Sequence, residues 1–145
     1  MLENLREIRG VGASMHPFVP PGSRLLVEPA LFPDRIRKGD VVCFIGENGS
    51  VTAHRVTRIT TTHGRRVLWT RGDAQDTEER IPEDALCYVV RRVALGPVAY
   101  RTGSPTGRLI ARIALAENPK TAAAKKLVKS LAQASSFLLS AFRQR

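Results

Sequence analysis

Residues 40–71 read DVVCFIGENGSVTAHRVTRITTTHGRRVLWTR. Three segments rich in β-branched residues are separated by two short stretches that suit turns. DVVCFI (40–45) is an unbroken apolar run of strand length, and GENGS (46–50) contains the Asn-Gly pair that tight hairpins favour. VTAHRVTRITTT (51–62) is β-branched and alternates in polarity, the period of a half-buried strand. His63-Gly64 turns the chain, and RRVLWTR (65–71) returns it. The stretch predicts three consecutive antiparallel strands and sets the fold class as mainly β.

The flanks extend this pattern. PPG (20–22) is a turn signal ahead of RLLVEP (24–29), which reads as a strand, and ALCYVVRRVAL (85–95) reads as another, ended by Gly96-Pro97. Residues 32–40 are polar, with Pro33 and Gly39 as breakers. Residues 72–84 read as a long acidic loop, and residues 1–9 as a short helical turn broken at Gly10 and Gly12. Many short strands at close spacing suggest a small β-barrel or folded sheet. Beyond it, residues 105–119 suit a short helix stopped by Pro119. Residues 120–145 suit an amphipathic α-helix, with Ala124, Leu127, Val128, Leu131, Ala134, Leu138 and Phe142 on one face. The expected organisation is a β domain over residues 1–100 and a basic helical extension over residues 101–145.

Charge divides at the same place. Residues 1–90 hold 12 basic and 12 acidic groups, whereas residues 91–145 hold 11 basic groups and one acidic group, Glu117. The whole excess of +10 therefore lies in the C-terminal third, where it can attract an anionic surface. Cys43 and Cys87 lie far apart in apolar runs and read as reduced thiols. No apolar run approaches the ~18 residues of a transmembrane helix, and the N-terminus lacks the apolar core of a signal peptide. No metal site and no cofactor are expected.

The residues with chemical potential begin in GVGASMHPFVPPG (10–22). Gly, Ala and Ser ahead of Met15 and Pro17 serve neither helix nor strand, so Ser14 is a candidate for presentation in a loop. A serine hydroxyl needs a base to become a nucleophile. His54 sits in a strand, which fixes its direction, and neutral imidazole is the natural base near pH 7. His16 is too close to Ser14 in sequence to face it, and His63 lies in a turn. A carboxylate that orients the imidazole could come from Asp73, Asp76, Glu78 or Glu79 in GDAQDTEER.

Taken in order, SMHP, KGDVVCF, AHRV and WTRGDAQDTEE resemble the conserved boxes of the type I signal peptidase family. The likeness is to the archaeal and endoplasmic-reticulum branch, in which histidine replaces the bacterial lysine base, and it covers about residues 10–95. The resemblance implies Ser14 as nucleophile, His54 as general base, and Met15 with Pro17 at the substrate pocket. Asp73 matches the aspartate of the Gly-Asp pair. The branch's orienting acid falls six positions later, at Glu79, which is a glutamate in place of aspartate; Asp73 is the alternative orienter. Gly12 stands where many bacterial members carry a serine that donates to the oxyanion, and Gly22-Ser23 stands in place of Gly-Asp.

The implied activity is that of a serine endopeptidase cleaving a leader-like or signal-like peptide with small side chains near the cut. Family members carry a membrane anchor ahead of the serine, whereas thirteen residues precede Ser14 here. The expectation is a protein of the cytoplasm or the inner face of the cytoplasmic membrane, with residues 120–145 able to meet an anionic membrane surface. No nucleic-acid partner is expected. The rival classes are a catalytically silent peptide- or membrane-binding module of the same fold and a self-cleaving repressor. The latter would want a lysine base and a helix-turn-helix.

Overall fold

The computed structural model describes residues 4–116, apart from Phe32 and Pro97. Within it the chain forms eight strands: β1 (Arg6–Arg9), β2 (Arg24–Pro29), β3 (Val41–Ile45), β4 (Val51–Thr62), β5 (Arg65–Arg71), β6 (Glu79–Pro82), β7 (Leu86–Leu95) and β8 (Val98–Arg101). One helix follows, α1 (Pro105–Leu115). All strand pairs are antiparallel and build one sheet in the order β1-β2-β7-β3-β4-β5-β6, with β8 also on β7. The sheet curls into a half-barrel, so the mainly β fold with a following helix is as expected.

β3, β4 and β5 occupy the stretch 40–71 as its turn signals imply. β7 is the hub. Its one edge pairs with β2 from Tyr88 to Ala94, while β3 and β8 share the other edge at its two ends. A strand with neighbours on both edges and side chains buried on both faces has no need of polar alternation. β3 shows the consequence: Val41, Val42, Cys43 and Phe44 are each at most 1% exposed. Alternate residues feed two cores. Val41 and Cys43 join Met15, Val19, Leu25, Val27, Val90 and Val93 on one face. Val42 and Phe44 join Ile36, Val56, Leu68, Ile81 and Val89 on the other.

Two local expectations fail. Residues 6–9 form β1 and not a helical turn, because Ile8 lies opposite Leu25 and packs against the first core while its neighbours pair along β2. The acidic stretch 72–84 is not all loop: β6 pairs with Val67–Thr70 and buries Ile81 at 5% exposure. β7 ends at Leu95, ahead of Gly96 as expected, and β8 then folds back on it, an element without a sequence expectation. Helix α1 starts as its residues suggest, with Pro105 in the first turn and Ser104 Oγ accepting from the Gly107 N–H at 3.1 Å. It ends at Leu115, before Pro119. Gly107 lets the helix meet β8, since a Cβ there would lie 2.2 Å from the Arg101 carbonyl oxygen. The expected helix over residues 120–145 lies outside the described residues. Among the described residues no helix is long and apolar enough to cross a membrane.

Candidate active site

The Ser14 loop is anchored from below. Met15, Phe18 and Val19 are 3%, 3% and 4% exposed, and Met15 and Val19 belong to the first core. The main chain turns on itself through His16 N–H to Ala13 O at 3.0 Å and Val19 N–H to Met15 O at 2.9 Å. The loop is thus plugged into the sheet by its apolar residues. Ser14 is left half-buried at the start of the turn, and Pro17 is also half-buried, after a cis peptide. Met15 is core more than surface.

His54 comes from the first half of β4, opposite Val42. It is 6% exposed, and its ring meets Phe44 edge-on at 5.8 Å between centroids. Its Nε2 lies 3.2 Å from Ser14 Oγ. Its Nδ1 hydrogen-bonds the Glu79 carboxylate. An ionised carboxylate can only accept, so Nδ1 carries a proton, and in the neutral ring Nε2 is the acceptor that faces the serine hydroxyl. Glu79 reaches the ring because it is the first residue of β6, held opposite Thr70 on β5.

Residue 55 projects to the opposite face of β4 from residue 54. There Arg55 donates to Asp73 through two parallel bonds, Nε to Oδ1 at 2.8 Å and a terminal nitrogen to Oδ2 at 2.7 Å, and donates a third to Gly39 O at 2.9 Å. The two side chains are 3% and 2% exposed. Burial works against the Arg55 charge, and the Asp73 carboxylate more than restores it, holding the guanidinium above its usual range. Of the four carboxylates considered, Glu79 meets His54 and Asp73 meets Arg55. Glu78 pairs with Arg58 at 3.1 Å, and Asp76 is exposed.

The stretch after β5 clamps the serine. Gly72 abuts it so closely that a Cβ there would lie 2.6 Å from Ser14 O and 3.0 Å from Ser14 Cβ. The Ala74 N–H donates to Ser14 O at 2.8 Å. At the far end of the loop Tyr100 donates its hydroxyl to Phe18 O at 2.9 Å. Burial, with a contribution from Asp73, pushes the Tyr100 phenol up to about 12, so it stays a donor. Arg55, Ala74 and Tyr100 escaped sequence reasoning. A charged residue in a strand otherwise buried was the signal for Arg55; Tyr100 offered none.

Gly12, in the position of the expected oxyanion donor, has nothing within 4 Å of where a Cβ would be. Among the described hydrogen bonds the Ser14 N–H donates to no other group. His63 is exposed at a turn with φ 51°. His16 contributes its main-chain N–H to the turn. Cys43 and Cys87 are free thiols, and burial pushes Cys43 up to about 12, which leaves it unreactive. Among the described residues no group of three or more His, Cys, Asp or Glu is placed to hold a metal. No family model, no curated protein and no solved structure matches the chain significantly, so the reading of the site rests on its own geometry.

Proposed function

We propose that the chain is a serine endopeptidase of the signal peptidase type, with residues 1–100 as the catalytic unit. The observation that carries the reading is the relay from Ser14 Oγ through His54 to Glu79, with 3.2 Å between Oγ and Nε2. That is the arrangement a weak hydroxyl nucleophile requires. Ser14 Oγ attacks a peptide carbonyl while Nε2 takes its proton. The Glu79 carboxylate stabilises the imidazolium across Nδ1. The imidazolium then protonates the leaving amine, and water, deprotonated by the same nitrogen, releases the acyl group. The Ser14 N–H is available for the developing oxyanion, a contribution of about 3 kcal/mol per good donor. Asp73 acts through Arg55 and Gly72 by holding the serine loop, outside the proton path.

The order of the boxes SMHP, KGDVVCF, AHRV and WTRGDAQDTEE supports a leader-like substrate with small side chains near the cut, with Pro17 beside it and Met15 holding the loop from within the core. The basic stretch 120–145 would bring the catalytic unit to an anionic membrane surface on the cytoplasmic side. The test is cleavage of a panel of peptides with Ala, Gly or Ser beside and two before the scissile bond, followed by mass spectrometry. Cleavage that vanishes in both Ser14→Ala and His54→Ala supports the proposal. Cleavage that survives in either overturns it, and a folded wild type inert to every peptide favours the silent binding module, which Gly12 without a neighbouring donor side chain would suit.

A further inference from the structure

The register places a row of arginines on one side of the sheet. Ile8, Leu25, Val93 and Tyr100 lie opposite one another across β1, β2, β7 and β8, and all pack on the first core. The residues one step away therefore project to the other face. They include Arg9 opposite Arg24, and Leu26 opposite Arg92, which lies opposite Arg101. All four arginines are exposed. Arg24 has Glu7 at 3.8 Å, both about half exposed. Among the described residues no carboxylate forms an ion pair with Arg9, Arg92 or Arg101.

Two of these cross-strand pairs set like charges directly opposite each other, an arrangement that lowers sheet stability. Nothing in the core requires them, since their side chains face away from it. A negative partner offsets that repulsion. The surface is four strands wide, about 15 Å, and its remaining positions are Leu26, Ala94, Ala99 and one carboxylate, Glu7, which lies opposite Leu26 and beside Arg24 and leaves the face a net charge of +3. It offers no aromatic side chain on which a base could stack, the usual means of holding single-stranded nucleic acid. A guanidinium forks onto two phosphate oxygens at once, and a row of them on a sheet fits a plane of phosphates. We propose that the outer face of β1-β2-β7-β8 docks on anionic phospholipid headgroups, with Arg9, Arg24, Arg92 and Arg101 as the phosphate-binding groups. This surface is separate from residues 120–145, and it holds whether or not Ser14 is reactive.

The test is sedimentation of the full chain with vesicles of phosphatidylcholine alone or with roughly one-third phosphatidylglycerol. Each arginine near such a surface is worth about fivefold in partitioning. Arg92→Gln with Arg101→Gln should lower binding to the anionic vesicles by about 25-fold. Arg65→Gln with Arg80→Gln, an equal change of charge at exposed positions on β5 and β6, should lower it by less than about threefold. The Arg92/Arg101 variant should melt no lower than wild type, because it removes a repulsion. Should it fail to fold, Arg9→Gln on the edge strand reports the same face with about a fivefold loss. Equal losses in the two double variants, no loss in either, or a wild type indifferent to phosphatidylglycerol would overturn the proposal. So would Arg92-dependent binding to an oligonucleotide without binding to vesicles.

Discussion

Replacing Gly72 by alanine tests how tightly the serine is held. The new Cβ would lie 2.6 Å from Ser14 O, 2.7 Å from Gln75 Oε1 and 3.0 Å from Ser14 Cβ. The exposed Gln75 side chain can swing aside. The Ser14 carbonyl is main chain and is fixed by the Ala74 N–H at 2.8 Å. To reach the 3.4 Å of ordinary contact the two backbones must separate by about 0.8 Å. Met15 and Val19 are set in the core, so the displacement falls on Ser14 and lengthens or misaligns the 3.2 Å contact to His54. A misplacement near 1 Å costs about 100-fold in rate. Gly72→Ala should therefore slow phosphonylation of Ser14 by a serine-reactive phosphonate about 100-fold, with a loss of fold stability of about 1–3 kcal/mol. Gly49→Ala is the control. It strains a turn at φ +75° with nothing within 4 Å, so it lowers stability without touching the serine. Wild-type labelling in a folded Gly72→Ala protein, or equal slowing in Gly49→Ala, would refute the clamp.

Other consequences follow from the same geometry. Glu79→Gln keeps a partner for the ring but removes the charge that stabilises imidazolium, so labelling should fall roughly 100-fold at neutral pH with little change in melting. Removing one member of the buried Arg55–Asp73 pair, as in Asp73→Asn, should destabilise by about 3–5 kcal/mol in denaturant titrations, while replacing both by apolar residues should recover most of it. Tyr100 titrates near 10 when unfolded and about 12 when folded, so the fold retains the proton longer. Its contribution is complete below pH 10 and is lost as pH rises toward about 12. Comparing wild type with Tyr100→Phe by chemical denaturation should show their stability difference shifting by up to about 2–3 kcal/mol across that window. A difference constant with pH would place the phenol in water.

How much was legible depends on where each signal resides. β3, β4 and β5 are written locally, in β-branched runs and in glycines that adopt positive φ at positions 49 and 64. β1 and β6 are four-residue strands with polar residues such as Arg9 and Arg80, and only pairing with β2 and β5 makes them strands. No window of sequence holds that information. Ser14 and His54 could be singled out because the serine loop fits no regular element and the histidine sits in a strand. The choice between Asp73 and Glu79 could not be made, because it depends on which face of β4 each carboxylate returns to. Asp73 follows the end of β5 and meets Arg55, whereas Glu79 waits for β6 and meets His54.

The central claim is that Ser14 is a nucleophile activated by His54. Its most direct measurement is mass spectrometry of the folded protein after exposure to a fluorophosphonate, with the modified peptide sequenced. The account predicts a single adduct on Ser14, absent in His54→Ala and absent after denaturation. No adduct in the folded wild type, or an adduct on Ser14 formed equally fast without His54, would contradict it.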